Sequence, residues 1–283
     1  MTTAELEAIR THPPDPPRRV RRINLTGGMG LGLGTATLYL SIVVLIPLAA
    51  VASRAFDDGI SGFWDSISSP EAWSALKLTI LAGLGVAVVN AVFGTLVAWV
   101  LVRDRFVGKR LLETFIDLPF ALPTIVAGLI LLSLYGVQSP LGIDLAFKVS
   151  GVFMALLFVT LPFVVRSVEP VLMEIDPEME EAAVSLGASR LVTFWRVVFP
   201  NLVPAIASGT ALAFARAISE FGATVLISGN IPLKTQVAAV FVFSQIESDR
   251  PSTAAAVSVV LLVLALAMLV SLDVLQRWAR RRG

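Results

Sequence analysis

The sequence contains no cysteine, a single histidine and few charged residues. Without cysteine the chain cannot form a disulfide, hold an iron–sulfur cluster or use thiol chemistry. The histidine, His12, lies in a proline-rich stretch, where a solvated side chain is favoured over a metal ligand. Charged residues make up 15% of the 283 residues and hydrophobic residues 56%, whereas a soluble domain carries roughly 25% charged residues. This shortage of charge predicts an integral membrane protein.

The sequence also lacks the patterns of nucleic-acid binding and of catalysis. The formal net charge is +1, and no basic stripe with interleaved aromatic residues occurs, so we expect no nucleic-acid partner. The glycine and basic residues at 108–110 lack the upstream glycine and the hydroxyl of a phosphate-binding loop. We therefore expect no catalytic residue, no metal site and no cofactor in this chain.

Six apolar runs predict membrane spans. Residues 23–53 contain no charge, which is too long for the apolar part of a signal peptide and sufficient to cross a bilayer. The remaining runs cover 78–102, 118–143, 149–165, 197–215 and 251–272. We predict an all-α membrane protein with about six transmembrane helices, divided into an N-terminal tail (1–29), a first span (30–54), a core (70–277) and a basic tail (278–283).

Arginine and lysine are concentrated in alternate loops. The basic groups lie in the N-terminal tail, in residues 103–110, in residues 190–196 and at the C-terminus, while the opposite loops hold few. By the positive-inside rule, both termini and the segment 176–200 are expected in the cytoplasm. An even number of spans also requires both termini on one side, so the count and the charges agree.

Residues 176–200 interrupt two apolar runs with a helix–turn–helix pattern. Asp176 is suited to cap a helix and Pro177 to occupy its first position. Gly187 is a helix stop, Ser189 is suited to cap a second helix, and Pro200 is expected to end it. The apolar faces are expected to consist of Met179, Ala183 and Leu186 in the first helix and Phe194, Trp195 and Phe199 in the second.

Small residues and prolines shape the predicted spans. Gly94 and Ala98 have the small-xxx-small spacing of close helix packing, which we favour over a role in ligand binding. Pro119 and Pro123 free backbone carbonyl groups inside a span. These kinks either give the helix its shape or line a path, and the sequence favours neither.

Polar residues inside the spans are the candidates for a translocation path. Arg216 and Glu220 lie four residues apart on one helical face. A single charge in lipid is costly, so both are expected to face protein or water. An ion pair that locks helices together is favoured over a gate, because a pair without net charge is a poor anion trap. Thr124 and Ser219 add hydroxyl groups to this path.

The helix–turn–helix segment resembles the EAA signature of ATP-binding-cassette importer permeases, EAA-x3-G-x9-I-x-L-P. The matching residues are Glu181-Ala182-Ala183, Gly187 and Pro200, with Val197 and Phe199 in place of isoleucine and leucine. The similarity extends over about residues 70 to 275. Residues 120–124, FALPT, resemble the sulfate/thiosulfate branch more than the molybdate branch.

This resemblance implies a type I importer in the bacterial inner membrane. Such an importer has a heterodimer of this chain with a sister permease, two ATPase subunits that hold ATP and magnesium, and an external sulfate-binding protein. Residues 177–187 would be the coupling helix seated on an ATPase, and residues 229–250 an external gate or docking surface. The coupling residues implied are Glu180, Glu181, Ala182, Ala183, Gly187 and Pro200.

Two alternatives stay open at this point. A molybdate or tungstate permease of the same superfamily would share the EAA segment. A self-sufficient secondary anion carrier would use residues 176–200 only as a surface hairpin. Such a carrier is expected to hold several unpaired carboxylates or histidines in mid-membrane and an inverted repeat, and neither is recognisable in this sequence. We therefore favour the importer subunit.

Overall fold

The computed structural model describes residues 28–280, and its regular structure is helical throughout. The helices are α1 (Gly28–Leu40), α2 (Ile46–Ala55), α3 (Gly59–Ser68), α4 (Pro70–Arg103), α5 (Lys109–Ala121), α6 (Thr124–Tyr135), α7 (Val149–Glu174), α8 (Pro177–Ser185), α9 (Arg190–Thr193), α10 (Phe199–Ile218), α11 (Gly222–Ile227), α12 (Ala238–Glu247) and α13 (Pro251–Arg280). One π turn (Ser41–Leu45) joins α1 to α2, and another (Phe194–Val198) joins α9 to α10. The all-α prediction is confirmed.

The chain divides into two compact units, Met1–Ala49 and Ala50–Gly283, and the second holds every helix from α3 onward. Of the predicted N-terminal tail, residues 1–27 lie outside the described residues, as does His12 with them. The last three residues of the predicted basic tail, 281–283, also lie outside them. The packing and the sites described below all belong to the second unit.

Between residues 28 and 280, five helical segments are long and apolar enough to cross a membrane. The two helices α5 and α6 together count as a sixth, bent span. The prediction of about six spans is thereby confirmed. The five segments are Gly32–Ala55, Pro70–Arg103, Val149–Glu174, Arg190–Ile218 and Pro251–Ser271.

The predicted third span, 118–143, is wrong as a single helix. α5 ends at Ala121 and α6 begins at Thr124, with an angle of 119° between them. Pro123 lies in the break, and Leu122 before it has an extended backbone with ψ 137°. A residue that precedes proline is pushed out of the helical region by the proline ring, which accounts for the position of the break. α6 then ends at Tyr135, eight residues before the predicted end of the span.

The prediction that Pro200 ends a helix is also wrong. The helix runs without interruption from Arg190 to Ile218 and passes through Pro200. A proline has no N–H and its ring collides with the carbonyl group four residues earlier. Immediately before it, the π turn lets the N–H of Phe199 donate to the carbonyl of Phe194, five residues earlier. We attribute the continuity of the helix to this wider turn, which changes the backbone pairing just where the proline would clash.

The second unit is organised around the crossing of α4, α7 and α10. A Cβ atom added to Gly94 of α4 would lie 2.9 Å from Cβ of Val164 in α7. One added to Gly209 of α10 would lie 2.8 Å from Cα of the same valine. Helices in membranes associate mainly through such close packing. The close-packing role predicted for Gly94 and Ala98 is confirmed, because Ala98 is fully buried in the same cluster.

Buried hydrogen bonds connect the long helices. Asn90 Nδ2 of α4 donates to Thr160 Oγ1 of α7 at 2.8 Å, and both residues are buried. The N–H of Ala238, at the start of α12, donates to Thr79 Oγ1 of α4 at 2.8 Å. Interhelical hydrogen bonds of this kind contribute to association where no water competes. They fix the relative positions of α4, α7 and α12.

The α7–α10 crossing gives a testable prediction. Gly209→Ala should lower the free energy of unfolding by about 1–3 kcal/mol, because the added methyl group would meet backbone atoms of α7 that cannot move alone. Thermal unfolding of the detergent-solubilised protein measures the effect. Gly34→Ala is the matched control, since an added Cβ there meets no atom within 4 Å. Equal stability of the two variants would contradict the close crossing.

Candidate functional site

The caps predicted for the segment 176–189 are present in the structure. Asp176 Oδ1 accepts a hydrogen bond from the N–H of Glu178 at 2.9 Å, and Pro177 is the first residue of α8. Gly187 follows the end of α8 with φ +86°, a conformation that glycine adopts without steric cost. Ser189 Oγ accepts from the N–H three residues later at 3.4 Å and so begins α9. The two helices and the turn between them are confirmed.

The outward side of α8 and of the following turn is apolar and exposed. Leu186 is 90% exposed and Leu191 69% exposed, and Met179 is exposed as well. Of the predicted apolar face, only Ala183 is partly buried, so this face does not pack on the rest of the chain. Clustered exposed apolar side chains mark an interaction surface. α8 therefore presents a surface suited to another protein.

The residues predicted for ATPase coupling lie in two places. Glu180, Glu181, Ala182, Ala183 and Gly187 share α8 and its terminal turn. Pro200 lies in α10, beyond the π turn, so it belongs to a different element. Their role in coupling stays a prediction.

The inward side of α8 is joined to the core by an ion pair that the sequence reasoning missed. Glu180 pairs with Arg103 at the end of α4, and the Arg103 guanidinium carbon lies 5.3 Å from the centre of the Trp99 ring. Trp99 in turn makes an edge-to-face contact with Phe194, with ring centroids 5.2 Å apart. From the sequence, Arg103 was considered only as one of the basic residues that indicate which loops face the cytoplasm. Its position 77 residues before Glu180 gives no local indication of a contact.

A cavity of about 570 Å³ lies between α8 and the core. Part of its lining belongs to α8 and to the short α9, and part to α4 and to the π turn. The residues from α8 are Glu180, Glu181, Val184 and Ser185, and the others include Trp99, Arg190, Thr193, Phe194 and Val198. The side chains behind α8 consequently do not fill the space as those of a protein core do.

Arg216 and Glu220 form the ion pair that their spacing predicts. Arg216 Nη2 lies 2.7 Å from Glu220 Oε2, and the Glu220 side chain is completely buried. The second oxygen of Glu220 accepts a hydrogen bond from the N–H of Ala223 at 2.8 Å. The expectation that Glu220 lies inside the fifth span is wrong, because α10 ends at Ile218. The helix stops there although no glycine or proline marks the site, and the carboxylate binds the backbone of the next helix instead.

The starts of α6 and α11 are in contact. A Cβ atom added to Gly222 would lie 2.2 Å from Thr124 Oγ1, so only glycine fits at this place. Ser219, just after α10, is exposed and its hydroxyl donates to the carbonyl of Arg216 at 3.1 Å. Three of the predicted path residues thus lie at the end of α10, and the fourth, Thr124, lies against the helix that follows.

A second charged cluster was missed because the apolar run chosen from the sequence stops at residue 165. Arg166 Nε of α7 donates to Asp117 Oδ1 of α5 at 2.8 Å, and its Nη1 donates to Glu169 Oε2 at 2.5 Å. α7 continues to Glu174, which places Arg166 about 12 Å inside the end of the helix at a rise of 1.5 Å per residue. The spacing of three residues between Arg166 and Glu169 was a usable signal for this pair.

The Asp117–Arg166 pair is partly accessible, with 45% and 34% of the two side chains exposed. Charged groups at membrane depth face protein or water and not lipid. Asn201 and Ser208 of α10 share one helical face with Arg216, and Ser219 lies just after the end of this helix. The sides of α5, α7 and α10 that carry these groups are therefore unsuited to contact with lipid.

The segment 229–250, predicted as an external gate or docking surface, is a fixed turn followed by α12. Thr235 Oγ1 donates to the carbonyl of Ser228 at 2.6 Å, and both residues are buried. Asn230 and Leu233 have positive φ values of 53° and 62°. A non-glycine residue keeps this conformation only where its surroundings impose it. The segment is held by specific contacts, and its gating role stays a prediction.

The ion pair at the end of α10 gives a second prediction. Arg216→Met should lower the free energy of unfolding on the order of 3 kcal/mol, because it leaves the buried Glu220 carboxylate without its counter-charge. The double variant Arg216→Met/Glu220→Gln should recover most of the loss, since no buried charge remains. Chemical denaturation in detergent measures both. A double variant as unstable as the single one would argue against the ion pair as the cause.

Comparison with known proteins assigns most of this chain to a described family. Residues 90–282 match the family described as "Binding-protein-dependent transport system inner membrane component". The chain is 42% identical over 273 residues to the "Sulfate transport system permease protein CysT" of a Synechocystis strain, covering 94% of this chain and 96% of that protein. It is 43% identical over 262 residues to the protein of the same name from Salmonella typhimurium, covering 90% and 95%.

A solved structure with the same fold is a bacterial alginate ABC transporter in complex with an alginate pentasaccharide-bound periplasmic protein. The similarity has a TM-score of 0.71 at 17% sequence identity and covers 88% of this chain and 93% of the transporter chain. At this identity the comparison establishes the fold alone.

Proposed function

This chain belongs to the family of binding-protein-dependent transport system inner membrane components, and we propose that it is the permease subunit of an ATP-driven sulfate/thiosulfate importer in the bacterial inner membrane. Relatives named sulfate transport permeases, which match over nearly their whole length, support the choice of anion. The observation that carries the mechanism is α8, a capped helix with an exposed apolar side. ATP and magnesium would bind to a partner subunit.

The proposed mechanism starts at α8. An ATPase subunit binds the exposed side of α8, around Met179 and Leu186, and the small Ala182 lies on the same side. The carboxylate of Glu181 borders the open cavity on the other side of the helix. Acidic residues near the start of a helix are favoured by the helix dipole, so α8 stays helical while load is applied to it. When the two ATPase subunits close on ATP, α8 moves with them and shifts the long helices.

The proposed translocation path runs along the polar sides of α7 and α10. Thr124, Ser219 and the Arg216–Glu220 pair border it near the two helix breaks, and Arg166 and Asp117 border it nearer the coupling side. Backbone outside helices is tolerated at membrane depth only where protein or a water-filled cavity covers it, which supports a path at the breaks. A sister permease subunit would enclose the other side of this path.

The proposed topology places α8 and both termini in the cytoplasm. The basic residues Arg103, Arg105, Lys109 and Arg110 lie at one end of α4 and α5, which the positive-inside rule assigns to the cytoplasm. The segment 229–250 then faces an external sulfate-binding protein. The similar alginate ABC transporter is in complex with a periplasmic protein, which supports a docking surface on this side.

Transport by the reconstituted complex tests this function. We expect proteoliposomes that contain this chain, its sister permease, the ATPase and the binding protein to accumulate radioactive sulfate only with enclosed ATP and magnesium. The control is an ATPase variant without the lysine of its phosphate-binding loop, with which no accumulation is expected. Sulfate uptake by this chain alone, without ATPase, would contradict the proposal and favour a secondary carrier. Stronger competition by molybdate than by thiosulfate would reassign the anion.

The turn after α8 gives a specific test of the ATPase contact. Gly187→Asp should reduce co-purification of the ATPase at least about tenfold, because it places a charge and a strained left-handed residue in the proposed interface. Gly108→Asp is the matched control: it also has positive φ, +94°, and open space around it, but lies before α5. Both variants should insert into the membrane normally. Equal retention of the ATPase by both would contradict the coupling role of α8.

A further inference from the structure

α8 has few points of support on the core. An open cavity of about 570 Å³ is lined by α8 on one side and by Trp99 of α4 and Phe194 and Val198 of the π turn on the other, so side-chain packing is incomplete there. Through the part of the chain that the structure describes, Glu180–Arg103 is the only ion pair between α8 and another helix. This pair is therefore a direct charged connection from α8 to the end of α4.

The guanidinium of Arg103 is held in a definite place. It lies over Trp99, one turn earlier in α4, at 5.3 Å from the ring centre. This distance falls within the range of a cation–π interaction. The Trp99 ring also contacts Phe194 of the π turn at 5.2 Å between centroids, so the same aromatic group joins α4 to the start of α10. A planar, always charged guanidinium suits such a stacked and ion-paired position better than an ammonium.

α4 is the helix through which a displacement would spread. It packs against Val164 of α7 through Gly94, hydrogen-bonds Thr160 through Asn90, and holds the start of α12 through Thr79. A closely packed crossing transmits displacement because it cannot be compressed. The end of α4 at Arg103 is thus connected both to α8 and to the crossing of the three long helices.

We propose that Arg103 is a positioning residue for transport, which joins α8 to α4 through Glu180 so that movement of the coupling helix displaces the core. This inference rests on the proposed function and adds a specific residue pair to it. The pair is partly exposed, with 25% and 26% of the side chains accessible, and exposed ion pairs contribute little to stability. Its role is therefore in transmitting motion more than in maintaining the fold.

Charge reversal and charge exchange test the proposal in the complete complex. Arg103→Glu and Glu180→Arg should each reduce ATP-driven sulfate uptake about tenfold or more, because like charges then face each other across the contact. The double variant Arg103→Glu/Glu180→Arg should restore uptake to within about threefold of the wild type, since the attraction is re-formed. The number of ATP molecules hydrolysed per sulfate should rise in the single variants and fall again in the double variant.

Arg105→Glu is the matched control. It makes the same change of charge two residues further on, at an exposed side chain that makes no ion pair with any residue in 28–280. Uptake by this control should stay near that of the wild type. Arg103→Gln provides a milder variant in case the reversal prevents assembly, and it should also raise the ATP used per sulfate.

The possible outcomes separate failure of this inference from failure of the proposed function. Normal coupling in the Arg103 and Glu180 variants would overturn the inference and leave the proposed function intact. Loss of uptake without restoration by the exchanged pair would also overturn it, since the two residues would then act separately. If the wild-type chain itself bound no ATPase, the proposed function would fail first, and co-purification of the ATPase measures this independently.

Discussion

The structure depends on the contact of three helices around Val164. In a membrane the lipid tails are as apolar as leucine, so helices gain little from hiding apolar surface and must approach closely to attract each other. Gly94 and Gly209 permit this approach from opposite elements, because neither has a side chain between its backbone and α7. Asn90 of α4 adds a hydrogen bond to Thr160 of α7, and Thr79 of α4 accepts one from the N–H of Ala238, which ties the start of α12 to the same helix.

The helix breaks next to this crossing carry a different constraint. α6 and α11 begin in contact with each other, with Thr124 against Gly222, and each leaves backbone N–H groups without an intrahelical partner. Glu220 satisfies one of them by accepting from the N–H of Ala223. The carboxylate is acceptable there because Arg216 supplies the opposite charge. The ion pair therefore stabilises a break in the backbone, a role that extends the simple locking of helices inferred from the spacing.

What could be predicted from the sequence was local. The caps at Asp176 and Ser189 and the turn at Gly187 depend on residues within three or four positions, and the structure contains all of them. Span ends were misplaced wherever a charge lay inside a helix, as at Arg166, because hydropathy treats every charge as a boundary. Arg166 is neutralised by Asp117 of another helix, and no pattern along the chain reveals that partner. The same is true of Arg103 and Glu180, which only the tertiary structure brings together.

The charges along the proposed path also explain why such a chain needs a separate binding protein. The Arg216–Glu220 pair has no net charge, and in the other cluster Arg166 faces two carboxylates, Asp117 and Glu169. Neither arrangement would hold a divalent anion tightly, because each guanidinium is already paired. Rapid passage requires contacts that are weak enough for the ion to leave. In the proposed mechanism, affinity and selection are properties of the protein that delivers the anion, and the permease contributes a path that opens when α8 is moved.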